Sequence, residues 1–408
     1  MKLLFLVTED WYFASHRLQL ARAARDAGAE ILVMTHLTEF RTALEREGFR
    51  VIPWHIKRRS LNPFRELSAV LEVVKVYKRE RPSLVHHVAL KPTIYGGLAA
   101  RLCGGTPSVN AIAGMGHVFT SPRWQMRLLR VGMVTLLRFA LGGRNTKTVL
   151  QNEENRALLI DLGVVPLSRT AVIRGTGVNL DQFAPKPESI GRPIVLLASR
   201  MLWEKGIGDF VEAARLLRPQ NMGTRFVLVG KPDPENPGSI PEMQLLAWRD
   251  AGLVEWWGHQ DDMAKTLAQA NVVCLPSSYG EGVPRVLIEA ASCGRAIVAT
   301  DAPGCRDIVR DGQNGILVPL RDPRALARAI ETLIQDPALR SNMGTCGRQI
   351  AIREFSEETV FAQTLTIYRE LLGSRWACTN RLICEQDKIS SEPVPTDSLA
   401  RSVRKIRR

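Results

Sequence analysis

The sequence predicts an α/β protein of two Rossmann-like parallel-sheet domains facing each other across a cleft, followed by a basic tail. Three observations carry this. Short apolar runs with no polar face alternate with stretches of helical period over the first 372 residues, the pattern of successive βαβ units. The chain has 408 residues, more than one hydrophobic core ordinarily supports. Pro185, Pro187, Gly191 and Pro193 interrupt the alternation near its middle and read as the linker that contains the hinge. The boundaries expected are 1–184, 185–372 and a disordered basic tail, 373–408.

In the first domain, 3–7 reads as a buried strand. It stops at Thr8-Glu9-Asp10, too short for the apolar core of a secretory leader, and no small-residue cleavage site follows. Further strands are expected at 31–35, 84–88, 108–111 and 148–150. Helices are expected near 15–27, ended by Gly28, near 64–80, ended before Pro82, and near 92–103, ended by Gly104-Gly105. In an open parallel sheet, ligands bind in the crevice at the carboxyl ends of the strands. His16 and Arg17 follow the first strand, and Lys91 stands just beyond 84–88. Gly114 and Gly116 free the backbone after 108–111 to turn closely and aim His117 at the crevice. Between Trp124 and Leu141 there are too many apolar residues for one narrow stripe, with Arg127, Arg130 and Arg138 among them. Such a helix is either a core helix with snorkelling arginines or an interfacial helix lying on a membrane.

In the second domain, strand 194–198 leads into Ser199-Arg200-Met201-Leu202-Trp203-Glu204-Lys205-Gly206, and strand 225–230 ends in glycine. Glu255-Trp256-Trp257-Gly258-His259 ends another strand, and the proline-rich loop 232–241 lies near the cleft. The most informative stretch follows strand 272–275. It is a turn holding Tyr279-Gly280-Glu281-Gly282-Val283-Pro284, and then a helix in which Pro284 suits the first position. Glu281 sits on the turn and Glu289 inside the helix. The uncapped N–H groups at such a helix start attract an anion. Strand 296–300 and a last helix through Leu372 complete the domain.

Glu-Gly-x-Pro with a second glutamate eight positions on, Arg200 with Lys205, and His117 after a glycine turn together resemble the family-four retaining glycosyltransferases of the GT-B fold. Arg174-Gly175-Thr176-Gly177-Val178-Asn179 and a later Phe183 resemble that family's interdomain entry. The segment 8–17 lacks the glycine-rich turn of many members and is similar to a bacterial subgroup acting on polyprenyl-diphosphate-linked glycans. The resemblance implies that Arg200 and Lys205 grip the donor diphosphate and that Glu281 and His117 position the sugar. It further implies that Gly282, Val283 and Pro284 bring turn amides to the donor, that Glu289 holds the ribose, and that Gly258 lies by the base. His16, Arg17 and Lys91 would meet the acceptor, and the last helix would cross back onto the first domain. The substrates implied are a UDP-sugar and a polyprenyl-linked acceptor. No cofactor or metal is expected, because fixed cations and a helix start can neutralise the departing diphosphate and no Asp-x-Asp cluster is present. A nucleotide-sugar 2-epimerase and a catalytically dead glycan-binding protein share the architecture and are the alternatives.

Composition narrows the classes. At 45% hydrophobic and 24% charged residues, the chain is of soluble globular type. Seven cysteines without a C-x-x-C pair argue against a disulfide framework or a zinc site and suit a reducing cytoplasm. No apolar run of about 18 residues would span a bilayer. Residues 1–184 hold 26 Lys/Arg against 14 Asp/Glu, whereas 185–372 hold 21 against 23. The net charge of +14 therefore belongs mostly to the first domain and suits an anionic membrane surface, met peripherally from the cytoplasm and helped by the basic end Arg401 to Arg408. No aromatic and basic interleaving suggests nucleic acid.

Overall fold

The computed structural model describes residues 1–376 except 58–59, 61, 116–123, 189–190, 219–222, 281 and the side chains of 124–129. His117, Glu281 and the basic end of the tail therefore lie outside the described residues. The first sheet is built of β1 (Lys2–Glu9), β2 (Glu30–His36), β3 (Arg50–Pro53), β4 (Leu84–Val88), β5 (Ser108–Ile112), β6 (Thr146–Leu150) and β7 (Thr170–Val172), in the order β3-β2-β1-β4-β5-β6-β7. The second contains β8 (Ile194–Ala198), β9 (Arg225–Val229), β10 (Glu255–Trp256), β11 (Val272–Leu275), β12 (Ala296–Thr300) and β13 (Gly315–Val318), in the order β10-β9-β8-β11-β12-β13. Every pairing within both sheets is parallel. Strands β4, β5, β8, β11 and β12 are buried along their whole length; β8, β11 and most of β12 therefore read as apolar runs, whereas β4 and β5 also bury His86, His87, Ser108 and Asn110.

Strand order reverses between β1 and β4 in one sheet and between β8 and β11 in the other. At those two switch points the chain leaves the carboxyl ends as Asp10 to Arg17, Ala89 to Lys91, Ser199 to Gly206 and Pro276 to Pro284. The candidate loops thus sit where an open α/β sheet offers its crevice.

Several expectations need correction. The helix expected over 15–27 is two helices, Asp10–His16 and Leu18–Asp26, broken at Arg17 (φ −128, ψ −10). Strands β3 and β7 were not anticipated, being short segments at the two edges of the sheet. Pro284 lies just before the helix Arg285–Ser292 instead of at its first position. The chain crosses between domains earlier than 185–193. Ile173 is buried in the core of the first domain, and Val178 and Phe183 in that of the second. Beside this crossing, Val178 donates to Phe355 O (2.9 Å) and Glu357 donates to Val178 O (3.1 Å). The helix Glu357–Leu372 then packs on the first sheet, with Tyr368 buried in that core. The folded body runs past Leu372, because Trp376 is buried 6.1 Å from the Tyr368 ring.

The helix Trp124–Leu141 buries Val134, Leu137 and Leu141 against the domain and leaves Val131, Leu136 and Phe139 exposed. Its apolar excess therefore serves the core on one face only. Among the described residues no helix is long and apolar enough to cross a membrane.

Ala89, at the β4 switch point, has φ 77 and ψ 170, a region that glycine alone enters readily. Such strain costs about 1–3 kcal/mol, while glycine's extra freedom in the unfolded chain costs about 0.4–1 kcal/mol. Ala89→Gly is expected to stabilise the protein by about 1 kcal/mol in urea denaturation. A clear loss of stability would show that the fold does not hold Ala89 in this conformation.

Candidate active site

The two loops of the second domain are one structural unit. The carbonyl oxygen of Glu204 accepts from Ser278 N (2.9 Å), Ser278 Oγ (3.2 Å) and Ser277 Oγ (3.3 Å). Gly206 turns with φ 73 so close to Pro276 that a Cβ would stand 1.9 Å from its carbonyl oxygen. Lys205 and the turn at Tyr279 are held together in this way, with the Lys205 ammonium 5.6 Å from the centre of the Tyr279 ring. Arg200 is aimed by Asp233, whose Oδ2 accepts from Nη1 at 2.7 Å. The loop that carries Asp233 runs alongside, with Met201 donating to Lys231 O and Trp203 to Gly238 O.

The helix Arg285–Ser292 starts in the crevice without a side-chain cap. Glu289 is buried in it and accepts from Arg285 Nε at 2.7 Å. Burial raises its pKa, an effect that Arg285 opposes. Gly258 follows β10 with φ 68 and accepts from Gly230 N at 2.7 Å, which ties the ends of β9 and β10 together.

The first domain meets this unit directly. Gln151, just beyond β6, accepts the Val283 N–H at 2.9 Å in a buried bond. A Cβ on Gly282 would lie 2.0 Å from Gln151 Oε1 and 2.1 Å from Ala113 O, and one on Gly114 would lie 3.7 Å from Gly282 N. Of the three turn residues expected to serve the donor, Val283 has thus given its N–H to Gln151 and Pro284 has none. Only Gly282 retains one.

His16 stacks on Tyr12 with ring centroids 4.2 Å apart, and its Nδ1 is 2.6 Å from Ser15 Oγ. Its pKa is lowered to about 3, first by burial, then by Arg285 and Arg17 and, more weakly, by Arg200. Guanidinium groups of both domains thus act on one imidazole. Arg17 itself is buried, its Nε lacks a hydrogen-bond partner, and it has no carboxylate partner among the described residues. Behind it lies a cavity of about 20 Å³, room for one water, lined by Arg17, His86, Ala113, Gln151, Gly175 and Thr364 among others. A buried, uncompensated cation is costly unless an anion meets it.

Lys91 does not join the cluster. Its three donors are used by Glu66 Oε2 (3.0 Å), Ser60 O (2.9 Å) and Lys57 O (3.1 Å), so it ties Lys57 and Ser60 to Glu66 and leaves none for an acceptor phosphate. Three residues of this site were not singled out from sequence. Asp233 and Gln151 each follow a strand at its carboxyl end, and Arg285 opens the helix in the crevice, so the placement rule that selected His16 and Arg200 could have selected them.

Two parallel-sheet domains that bring their carboxyl edges together over a cationic cleft have the architecture of a GT-B glycosyltransferase. Residues 192–336 match the family Glycosyl transferases group 1, and residues 2–152 match Glycosyl transferase 4-like. The chain belongs to the group 1 glycosyltransferases. N,N'-diacetylbacillosaminyl-diphospho-undecaprenol alpha-1,3-N-acetylgalactosaminyltransferase of Campylobacter jejuni is 28% identical over 369 residues, 87% of this chain and 95% of its own. The capsular polysaccharide biosynthesis glycosyltransferase CapM of Staphylococcus aureus is 22% identical over 80% of this chain and 86% of its own. The fold is shared with HepE of Anabaena in complex with UDP (TM-score 0.73, 21% identity, covering 91% of this chain and 100% of that one). It is shared also with sucrose-phosphate synthase of Thermosynechococcus elongatus (TM-score 0.75, 22% identity, 92% and 100%).

Two expectations follow from this geometry. The folded chain refuses a proton at His16 that the unfolded chain accepts near pH 6.5, so stability should fall as pH drops from 6.5 towards about 3. His16 should show no ring protonation above pH 5 in an NMR titration, and an ordinary midpoint would mean that it is neither buried nor beside the arginines. Gly282→Ala should force the domain edges apart and lower turnover by about 10²-fold through misplacement alone. A larger radius of gyration in small-angle scattering should accompany the loss.

Proposed function

We propose that the protein transfers a hexose or N-acetylhexosamine from a UDP-sugar to a polyprenyl-diphosphate-linked acceptor at the cytoplasmic face of a bacterial membrane, with the anomeric configuration retained and no divalent metal required. The observation that carries this reading is the seating of the Gly282 turn, joined to the Lys205 loop, on the edge of the first domain, which brings Arg200 and Arg285 near enough to Arg17 that all three act on the His16 imidazole. Both substrates carry a diphosphate, and such a cleft supplies fixed positive charge to each. Support for the acceptor comes from the activity named for the Campylobacter relative, and for the donor from the UDP bound to HepE.

In this scheme Arg200 and Lys205 take up the negative charge that grows on the UDP phosphate as the sugar–oxygen bond breaks. The acceptor hydroxyl attacks from the face the diphosphate leaves, and its proton passes to the departing phosphate oxygen. Glu289 holds the ribose, with Arg285 keeping its carboxylate oriented. Gly258 flanks the base. Glu281 and His117 position the sugar, and Gly282 with the start of the following helix supplies N–H donors. Arg17 meets the acceptor diphosphate and neutral His16 packs beside it. Lys91 has no part, because its donors are occupied.

One preorganised donor at a developing anion contributes about 3–4 kcal/mol, or 10²–10³ in rate. Lys205→Ala, Arg200→Ala and Glu281→Ala should therefore each lower turnover about 10²–10³-fold with the melting temperature retained. The test is mass spectrometry of the lipid fraction after incubating purified protein with a panel of nucleotide sugars and polyprenyl-diphosphate lipids. A glycosylated lipid formed equally well in EDTA is expected. Wild-type turnover in Lys205→Ala, or activity lost in EDTA and restored by manganese, would remove the scheme. Donor conversion without any acceptor would assign the protein to an epimerase instead.

A further inference from the structure

The helix Pro63–Glu80 shows an apolar stripe that the core does not use. Phe64 is 82% exposed, Leu67 57% and Leu71 48%. At about 100° per residue these three positions, with Lys75 and Lys78, fall within one sector of about 100° on the outer face. The inner face, Ala69, Val73, Val76 and Tyr77, is fully engaged with the domain. Single exposed apolar residues are ordinary, but a contiguous row with an aromatic at its head marks an interaction surface.

Apart from Glu72, which His55 engages, the charges beside the row are positive. Each carboxylate of this helix is already engaged: Glu66 with Lys91 and the Tyr95 hydroxyl, Glu72 with His55, and Glu80 with Arg50, Arg79 and Lys2. Arg65, Lys75 and Lys78 have no ion-pair partner among the described residues. Next to the stripe a hollow of about 280 Å³ is lined by His55, Lys57, Arg65 and Ser68, with Glu66 and Ala69. An apolar row flanked by unpaired cations and a cationic hollow is complementary to lipid tails beneath anionic headgroups.

Topology places this face. The helix starts after β3, so its first turn lies at the carboxyl edge of the parallel sheet, the edge that opens on the cleft, and Lys78 lies at the far end. We propose that Phe64, Leu67 and Leu71, with Lys57, Arg65, Lys75 and Lys78, form the docking face for an anionic membrane surface and set the cleft mouth beside the bilayer. The proposal rests on the reading that the acceptor is lipid-borne. It assigns the docking to a helix other than Trp124–Leu141 and to none of the tail.

The test is co-sedimentation of the full chain with vesicles of phosphatidylglycerol and phosphatidylethanolamine, and separately with phosphatidylcholine alone. Wild type should pellet with the anionic vesicles. Phe64→Ser/Leu67→Ser/Leu71→Ser should bind them at least about ten-fold more weakly with its melting temperature retained, since these side chains make little core contact. Lys75→Glu/Lys78→Glu should weaken binding to anionic vesicles and leave phosphatidylcholine unaffected. Transfer to a detergent-solubilised short-chain acceptor should be the same in all variants.

Wild-type-like pelleting of the triple variant overturns this face, as does loss of pelleting on changing Val131, Leu136 and Phe139 instead. So does a wild-type dimer in light scattering that the triple variant abolishes, which would give the row to a second copy of the chain. Vesicle binding by this face together with no transfer to any polyprenyl acceptor would sink the proposed function and leave the docking face standing.

Discussion

The contact on which the site depends is the seating of Gly282 and Val283 against Ala113 and Gln151. Arg17, Arg200 and Arg285 come from two separately folded sheets, and the last two are each held by a carboxylate of their own domain, Asp233 and Glu289. Nothing in their own charge would gather them. A backbone contact with no room for a Cβ, fixed by a buried hydrogen bond, sets the distance between the sheets and hence the density of positive charge in the cleft. The second crossing of the chain, where Val178 pairs with Ser356, limits how the two halves can turn about that contact.

Within the first domain the same economy is seen at Arg17. Breaking the first helix at this residue lets its neighbours His16 and Leu18 continue in separate helices while the guanidinium turns inward. Beside it His86 bonds Tyr368 of the last helix and stacks on Phe5 with ring centroids 5.1 Å apart. Burial and Arg17 together push the His86 pKa well below its ordinary value, so this imidazole remains neutral and adds no further positive charge to the cleft floor. The last helix therefore does more than close the first domain, since its tyrosine completes the wall behind the arginine.

The two faces of the first domain are specialised. One is covered by the helices Leu18–Asp26 and Glu357–Leu372 and is finished with Trp376. The other carries the helices Pro63–Glu80, Leu90–Leu102 and Trp124–Leu141 side by side, and most of the large exposed apolar residues of the domain belong to it. The excess of Lys and Arg in the first 184 residues is thus partly a property of a surface, and partly that of a cleft.

The amino-acid sequence by itself determined the fold class, the buried strands and the loops that leave their carboxyl ends. Each of these is local: a short apolar run bounded by turn residues and alternating with helical stretches reads as a buried strand, and the loop after a parallel strand must lie at its carboxyl edge. The place of Arg200 and Lys205 beyond β8, and of Glu289 beyond β11, was legible for that reason, whereas the roles expected of them came from the family resemblance. Only the tertiary structure decided which of those loops touch. That Lys91 is consumed by Glu66 and two carbonyl groups, that Val283 gives its N–H to Gln151, 132 residues away in the chain, and that the domain crossing precedes the prolines all depend on partners distant in sequence. Hydrogen-bond satisfaction is a count over neighbours in space, and no local pattern in the sequence lists them.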